Sequence, residues 1–264
     1  MNTFSIDNLL NRRSVKSLFS LFDDKKGEIR LVGGCVRDTL LNRDIKDIDA
    51  GTTIELSELM KILKKKNLKY EDYAYRYGSI IVYLNDEKIQ ITKLREDIKQ
   101  MGRHTDIFFT NNWEKDALRR DFTFNAIYLS FDGKIFDYFN GQNDLLRKKV
   151  KFIGDTEARL KEDYLRIYRY YRFLGLFDFP KLENEYENIL KKYSLESFIY
   201  LSNDIIRQEV LKMFKMPFAV NCFFKNIVKK DKRNWLKNTN NHFIKTKYDL
   251  GLKKCLNKIE VLIN

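Results

Sequence analysis

The chain has 264 residues, of which 44% are hydrophobic and 14% aromatic, a composition that excludes a disordered protein. Fifty Lys and Arg residues against 37 Asp and Glu give a formal charge of +13, which favours a polyanionic partner such as nucleic acid. No 18 consecutive residues are apolar, so the sequence predicts neither a membrane span nor a membrane partner. The length allows one large domain or two modest ones.

The N-terminus and the cysteines both predict a reducing, cytoplasmic location. The opening residues, MNTFSIDNLLNRRSVK, carry acids and lack a continuous apolar stretch, which is not typical of a secretory signal. Cys35, Cys222 and Cys255 are odd in number and widely spaced, as expected of unpaired thiols. They form no zinc-binding pattern with the two histidines, His104 and His242.

The first 150 residues mix helical and strand patterns. A helical opening at residues 5–22 is followed by a buried strand that runs into glycines, IRLVGGCV, a short helix, RDTLLN, and a second strand, DIDAGTT. A helix over SELMKILKKKNLKYED precedes two β-rich runs around Asn85-Asp86, and FTFNAIYLSFDGKIFDYF turns at Asp132-Gly133. These patterns predict an α+β fold whose mixed sheet is largely built from hairpins, rather than a doubly wound sheet.

From about residue 155 the pattern becomes helical. TEARLKEDYLRIYRYYRFLGLF predicts one long helix that stops before Pro180, and LENEYENILKKY and NDIIRQEVLKMFK predict amphipathic helices. We therefore expect two domains, a mixed domain at residues 1–150 and an all-helical domain at residues 151–264.

The segment LVGGCVRD places two glycines, Gly33 and Gly34, between a buried strand and a helix. Glycine lets a backbone approach a ligand closely, and the free N–H groups that begin a helix attract anions. Arg37 adds a donor suited to phosphate at the start of that helix. For the glycines alone, a plain tight turn is the alternative interpretation.

The segment RDIKDIDAGTT contains two carboxylates one residue apart, Asp47 and Asp49. Residues i and i+2 of a strand point to the same face, so the two acids project together while Ile48 enters the core. Two such carboxylates repel each other unless a cation lies between them, and Mg²⁺ suits oxygen ligands. The pair therefore predicts a magnesium site for an in-line displacement at phosphorus, with a solvated strand edge as the alternative.

Two further segments carry arginines beside acids. In RRDFTFNAI, two arginines precede a strand with alternating Phe122, Phe124 and Ala126. Arg120 could hold a triphosphate, and Asp121 could orient that arginine or a ribose hydroxyl. The alternative is that the two arginines precede the strand and bind no ligand.

In EDYLRIYRYYRF, an acid and three arginines follow one another at three-residue spacing: Asp163, Arg166, Arg169 and Arg172. Neighbours at i,i+3 share a helix face. A carboxylate and a guanidinium side by side can read a base edge, because the acid accepts from an exocyclic amine and the arginine donates to ring or carbonyl acceptors. The alternative is a solvated helix face with salt bridges.

In this order the segments resemble the class II tRNA nucleotidyltransferase (CCA-adding enzyme) and bacterial poly(A) polymerase family, within the polymerase-β-like nucleotidyltransferases. The resemblance covers residues 29 to about 214 and rests on LVGGCVRDTLLNRDIKDIDAGTT, RRDFTFNAIY, FDYFNGQNDL and IGDTEARLKEDYLRIYRYYRF. It implies a nucleotidyltransferase head with a mixed sheet flanked by helices. A helical neck and a shortened body, which bind the nucleotide base and tRNA, would follow.

The resemblance also implies the function, which is template-independent addition of C and A to the 3′ acceptor end of tRNA from CTP and ATP. Asp47 and Asp49 would be catalytic and hold two Mg²⁺ ions. Gly34, Arg37 and Arg120 would hold the triphosphate, and Asp163 and Arg166 would pair with the base. The other nucleotide-binding residues would be Gly33, Asp121, Arg169 and Arg172, of which the last two complete the arginine series of the family. The FNGQNDL segment would be a flexible element that adjusts the pocket between C and A.

The sequence departs from the family pattern at several positions. Gln90 stands where the superfamily often has a third carboxylate, Lys93 stands where a small hydroxyl residue is expected, and LSNDIIRQE lacks the usual acidic-basic pair after its Ser. The chain is also shorter than a typical member, so either its Lys-rich residues 225–254 would bind tRNA in place of a full body and tail, or tRNA binding would be weakened. The alternatives are a poly(A) polymerase, a partial enzyme that adds only CC or only A, and an inactive truncated remnant that binds RNA.

Overall fold

The computed structural model describes residues 3–22, 27–101, 104–181 and 183–222. These residues fall into two compact units, the first within residues 1–99 and 105–145 and the second made of residues 100–104 and those from 146 onward. Within the described ranges, no helix has the length and apolar character needed to cross a membrane. Cys35 and Cys222 are buried free thiols, as predicted, whereas Cys255 and the Lys-rich residues 225–254 lie outside the described residues.

The first unit opens with two helices, α1 (Thr3–Leu10) and α2 (Arg13–Ser20), where the sequence predicts a single helical region. Arg12 separates them because its backbone is extended, with φ −59° and ψ 136°. The buried face of α2 includes Val15 and Leu18, which are both fully enclosed. The predicted helical opening is therefore present as two helices, and the second of them packs its apolar side chains into the core.

A seven-stranded sheet forms the core of the first unit, with strand order β3-β4-β5-β2-β1-β8-β9, and β6 and β7 form a separate pair. The strands are β1 (Ile29–Val32), β2 (Ile48–Thr52), β3 (Tyr70–Glu71), β4 (Ser79–Leu84), β5 (Glu87–Lys93), β6 (Arg95–Met101), β7 (His104–Phe109), β8 (Ile127–Leu129) and β9 (Ile135–Asp137). The helices of this part are α3 (Gly34–Leu40), α4 (Leu56–Lys65), α5 (Trp113–Leu118) and α6 (Gly141–Leu146).

The sheet is mixed, which confirms the predicted α+β class. Strands β2 and β5 run parallel, and the neighbouring pairs β1–β2, β1–β8, β3–β4, β4–β5 and β8–β9 run antiparallel. Asn85 and Asp86 both have positive φ, 48° and 64°, as a two-residue hairpin turn requires. Gly133, with φ 81°, forms the second predicted turn, between β8 and β9. The β6–β7 pair was not predicted.

The predicted strand with alternating Phe122, Phe124 and Ala126 is wrong in its first half. Residues Thr123–Asn125 form a 3-10 turn, in which the Asn125 N–H donates to the Phe122 carbonyl, and β8 begins only at Ile127. Phe122, Phe124 and Ala126 are all fully buried. Because the whole segment is apolar and enclosed, its periodicity does not distinguish a turn from a strand.

Lys93, the residue that departs from the family pattern, is a buried cation at the end of β5. Its side chain is 2% exposed, and its Nζ donates to the carbonyl of Thr53, to Asn111 Oδ1 at 2.7 Å and to Glu55 Oε1 at 3.0 Å. These oxygen partners offset the desolvation of the ammonium group. Lys93 therefore joins the segments that follow β2 and β7 to the end of β5.

Replacing Lys93 with methionine is expected to lower the free energy of unfolding by about 1–3 kcal/mol, since the three oxygen atoms that its buried ammonium group joins lose their common donor. Urea denaturation of the purified variant measures the change. Lys88 lies on the same strand with an exposed side chain, so Lys88→Met is the matched control and should leave stability within about 0.5 kcal/mol. Equal stabilities for the two variants would contradict the role given to Lys93.

The second unit is helical. Its helices are α7 (Thr156–Glu162), α8 (Leu165–Leu174), α9 (Asn184–Tyr200) and α10 (Asn203–Phe214). Helices α9 and α10 correspond to the two predicted amphipathic helices, and α9 continues further than predicted. Stacked and edge-on contacts among Phe152, Tyr170 and Tyr186 form part of the core.

The single long helix predicted from residue 156 is wrong, because the chain breaks between α7 and α8. Asp163 has an extended backbone, with φ −149° and ψ 103°, and its Oδ1 accepts from the Leu165 N–H at 2.9 Å. Aspartate side chains compete with the helix for backbone N–H groups in this way. Asp163 therefore lies before α8 rather than on a common helix face with Arg166.

Candidate active site

The predicted glycine turn joins β1 to α3. Gly33 has φ +76° and ψ −126°, a conformation that strains any residue with a Cβ. A Cβ placed on Gly33 would lie 3.5 Å from Arg120 Nη1, and one on Gly34 would lie 3.7 Å from Arg37 Nη2. The turn thus passes directly beside the two arginines that the sequence associates with it.

The two acids lie at the start of β2, the strand next to β1. Asp47 is exposed immediately before the strand, Ile48 is 3% exposed in the core, and Asp49 is partly buried. Burial raises the pKa of Asp49, Arg120 lowers it, the negative charge of Asp47 raises it and Arg37 lowers it again. The pair is therefore close enough to repel and lies within the field of both arginines, as the i, i+2 spacing predicts.

A divalent cation fits this donor set. Burial and the neighbouring carboxylate both disfavour the charged form of Asp49, and a cation between the two acids would offset that cost. In the part of the chain that the structure describes, no group of three or more His, Cys, Asp or Glu side chains could hold a metal. Asp47 and Asp49 are thus a two-carboxylate set, which leaves coordination positions for phosphate oxygens and water.

Arg37 is held in a fixed orientation by neighbouring side chains. Its Nε and Nη2 donate to the two carboxylate oxygens of Asp38 at 3.0 and 2.9 Å, and its Nη1 donates to Asn125 Oδ1 at 2.9 Å. The amide of Asn125 in turn donates to Asp121 Oδ1 at 2.9 Å. Asp121 therefore acts on Arg37 through Asn125, a connection that the sequence did not show.

Arg120 is oriented by Asp116 and Tyr128. Its Nη2 donates to Asp116 Oδ2 and its Nε to the Tyr128 hydroxyl, both at 3.2 Å, and Tyr128 also donates to Asp116 at 2.8 Å. The ion pair of Arg120 with Asp116 was not predicted, and the role of Asp121 in orienting Arg120 or a ribose hydroxyl stays a prediction. The signal that was missed is the i,i+4 spacing of an acid and an arginine at the end of α5.

Asp116 is the most enclosed acid of this network, with 1% of its surface exposed. Burial alone would raise its pKa, but Arg120, Arg119 and the hydrogen bond from Tyr128 lower it to about 2. Arg119 donates from Nε to Asp116 Oδ1 at 2.9 Å. One buried carboxylate thus holds both arginines of the RRDF segment.

Asp49, Arg119 and Arg120 line one cleft of about 340 Å³ in the first unit. Its lining residues are Val32, Asp49, Ala50, Ala74, Tyr77, Ser79, Gln90, Thr92, Arg95, Arg119 and Arg120. Gln90 lies on β5 directly beside Asp49 of β2, at the position where a third carboxylate was considered, and its Nε2 is 3.5 Å from the Ser79 hydroxyl. The cleft therefore combines one partly buried acid with several cations.

The predicted base-binding residues lie in the second unit. Arg166 is 6% exposed, and its Nη1 donates to Glu162 Oε2 at 2.6 Å and to the Arg159 carbonyl at 2.8 Å. The Asp163 carboxylate accepts from the backbone at the start of α8 instead of lying along its face. The pairing of Asp163 and Arg166 with a base stays a prediction.

The other two arginines of this series contact neighbours within the second unit. Arg172 Nε lies 3.0 Å from Glu209 Oε2, an acid of α10 that is 2% exposed. The guanidinium groups of Arg169 and Arg172 lie 5.6 and 4.5 Å from the centre of the Phe173 ring. Arg172 thus ties α8 to α10, and nucleotide binding by either arginine stays a prediction.

The FNGQNDL segment has a defined local structure. Asp137 accepts from the N–H groups of Gly141 and Gln142 at 2.8 and 2.9 Å, and Asp144 accepts from the Thr123 hydroxyl at 2.7 Å. A Cβ on Gly141 would lie 2.4 Å from the Thr123 carbonyl oxygen, so only glycine fits there. The segment forms α6, and the flexibility assigned to it stays a prediction.

The mixed sheet, the glycine turn and the acidic pair all lie in the first unit. Residues 29–151 match the family model of the poly A polymerase head domain. Residues 29–151 are therefore similar to the head domain of that family.

Similar proteins carry the names of CCA-adding enzymes. The human mitochondrial CCA tRNA nucleotidyltransferase 1 is 43% identical over 162 residues, which cover 61% of this chain and 37% of the human protein. The CCA-adding enzyme of Lactobacillus johnsonii is 35% identical over 198 residues, which cover 74% of this chain and 48% of that enzyme. The chain thus spans between about a third and a half of the length of these relatives.

Solved structures show the same fold. The crystal structure of the Bacillus stearothermophilus CCA-adding enzyme in complex with CTP matches 98% of this chain and 69% of its own, with a TM-score of 0.72 and 21% identity. The Thermotoga maritima CCA-adding enzyme complexed with tRNA matches 96% of this chain and 68% of its own, with a TM-score of 0.63 and 22% identity. The predicted fold is confirmed by both.

Proposed function

We propose that this chain is a template-independent nucleotidyltransferase that adds C and A nucleotides to the 3′ end of tRNA from CTP and ATP. The observation that carries the proposal is the pair Asp47 and Asp49 beside Arg37 and Arg120, since charge repulsion within the pair has a purpose only if a cation and phosphates bind there. The similarity to enzymes named as CCA tRNA nucleotidyltransferases supports the substrate.

In this proposal Asp47 and Asp49 hold two Mg²⁺ ions. When bound, the ions make the attacking 3′-hydroxyl more acidic and neutralise charge on the leaving pyrophosphate. Arg37 and Arg120 bind the triphosphate, and because Asp38, Asn125 and Asp116 fix them in advance, little reorganisation is needed as charge develops. The chain's main contribution to the rate is therefore positioning and electrostatic stabilisation.

Recognition of the base is assigned to Asp163 and Arg166, with Arg169 and Arg172 as supporting residues. An aspartate accepts from the exocyclic amine of cytosine or adenine, and an arginine donates to their ring acceptors, so the pair would select C and A over G and U. Asp121 acts as a positioning residue for the triphosphate through Asn125 and Arg37.

A single incorporation assay tests the proposal. The protein is incubated with Mg²⁺, labelled CTP or ATP, and tRNAs that end at the discriminator base, C, CC or CCA. Stepwise addition that stops at CCA supports the proposal. Untemplated runs of A indicate a poly(A) polymerase, addition of only CC or only A indicates a partial enzyme, and no incorporation indicates an RNA-binding remnant.

Mg²⁺ is expected to raise the melting temperature of the wild-type protein by several degrees, because a ligand at about 100 times its dissociation constant stabilises the native state by about 2.7 kcal/mol. Asp49→Asn should lose most of this shift. Asp44→Asn, which changes an exposed acid of the same segment, is the control and should keep it. Differential scanning fluorimetry measures the shifts, and an equal shift in all three proteins would overturn the metal site.

A further inference from the structure

The short segment Asp72–Tyr77 lies between two clefts of the first unit. Ala74 and Tyr77 line the cleft that contains Asp49. Asp72 and Tyr75 line a second cleft of about 500 Å³, together with Ser57, Met60, Lys61 and Lys64. Because residues of this one short segment line both clefts, the second cleft adjoins the candidate active site across it.

The turn exposes aromatic rings to solvent. Tyr75 is 45% exposed and Tyr77 is 49% exposed, and both belong to the 3-10 turn Tyr75–Tyr77, in which no residue is buried. Phe109 is also 49% exposed, and its ring packs on Gly78. A Cβ added to Gly78 would lie 2.4 Å from the Phe109 ring. Neighbouring large aromatic side chains in water are typical of a binding surface.

The second cleft also carries positive charge. Lys61 and Lys64 are exposed and separated by one turn of α4, so their ammonium groups project from the same helix face. Asp72 is the acid among the residues that line this cleft. Exposed aromatic rings next to lysines suit single-stranded nucleic acid, since bases of any sequence stack on the rings while the cations follow the phosphates.

We propose that Tyr75, Tyr77, Lys61 and Lys64 form a binding surface for the single-stranded 3′-terminal nucleotides of the RNA acceptor. Bases stack on the two tyrosines, and phosphates lie near the two lysines. The strand crosses the turn from the second cleft, which brings its terminal hydroxyl into the cleft of Asp49. This surface deepens the proposed function and rests on it.

The test compares two 5′-fluorescein-labelled RNA hairpins, one with a single-stranded 3′ ACC overhang and one blunt. Wild-type protein should bind the overhang hairpin more tightly in fluorescence anisotropy. The Tyr75→Ala variant should bind the overhang hairpin with a Kd about tenfold higher than that of the wild type, because one base loses its stacking partner. Its Kd for the blunt hairpin should be unchanged. Tyr75→Trp, which keeps an aromatic face, should retain the preference.

Tyr73→Ala is the matched control, because Tyr73 belongs to the same segment and is 71% exposed but lines neither cleft. It should bind both hairpins as the wild type does. Retention of the full overhang preference in Tyr75→Ala, or an equal loss in Tyr73→Ala, would overturn the surface.

Lys61→Gln combined with Lys64→Gln should reduce the slope of log Kd against log salt by about 1.4, and an unchanged slope would overturn the phosphate contacts.

Incorporation of labelled ATP into the overhang hairpin separates this proposal from the proposed function. Binding that depends on Tyr75 without any incorporation would leave the surface supported and the enzymatic function rejected. Incorporation by Tyr75→Ala with an unchanged KM for the RNA would leave the function supported and the surface rejected.

Discussion

Replacing Asp49 with asparagine is expected to lower kcat for nucleotide incorporation by about 10³-fold or more, because several kcal/mol of transition-state stabilisation depend on the cations that this carboxylate holds. Single-turnover addition of labelled CTP to a tRNA measures the loss. Asp47→Asn is expected to show the same defect, since the two acids act on one site.

The fold should survive this change. Burial and the charge of Asp47 both raise the pKa of Asp49, so its ionised form costs stability at neutral pH, and asparagine removes that cost. The melting temperature of Asp49→Asn without metal should therefore equal or exceed that of the wild type, and its affinity for tRNA should be nearly unchanged. Substantial residual activity in either aspartate variant would contradict the assignment of the metal ligands.

Replacing Asp116 with alanine is expected to destabilise the protein by about 3–5 kcal/mol, since two arginines lose a buried carboxylate partner. Urea denaturation measures this loss. Where the variant remains folded, the KM for CTP should rise because Arg120 is no longer fixed beside Gly33. A variant with wild-type stability and wild-type KM would contradict the role given to this network.

The contribution of Asp116 to the free energy of unfolding should also depend on pH. Its pKa is lowered from 3.8 to about 2, so the stabilisation, on the order of 2 kcal/mol, is fully present above pH 4 and is lost as the pH falls through 2. The stability gap between the wild type and Asp116→Asn should therefore be largest at neutral pH and should narrow below pH 4. A gap that stays constant down to pH 2.5 would show that the charge of Asp116 is not what stabilises the fold.

The residues of the candidate site could be predicted from the sequence where the relevant pattern is local. Asp47 and Asp49 share a strand face because the strand period is two, and Ile48 between them fixes which face is buried. Gly33 and Gly34 follow a buried strand, and the turn that results needs the positive φ of Gly33. In both cases, a few consecutive residues determine the geometry.

The groups that orient the arginines could not be predicted in the same way. Asn125 reaches Arg37 across 88 positions of the chain, and the Tyr128 hydroxyl reaches Asp116 only because a 3-10 turn precedes β8. Such contacts depend on how strands pair, which the sequence pattern does not contain. The contact of Tyr128 with Asp116, the ion-pair partner of Arg120, was missed for this reason.

The break before α8 was missed because the apolar pattern continues through it. Residues 156–177 have helical spacing throughout, yet the side chain of Asp163 bonds to the Leu165 N–H and begins a new helix. A single hydrogen bond of this kind outweighs a continuous pattern when the residues on both sides remain buried, as Leu160 and Ile167 do.

The most direct test of the account is the sequence of the product made from a tRNA that ends at its discriminator base, in the presence of CTP, ATP and Mg²⁺. The account predicts that wild-type protein adds C, C and A in that order and then stops, and that Asp49→Asn adds nothing. A product of unlimited A residues, or CCA addition that is undiminished in Asp49→Asn, would contradict it.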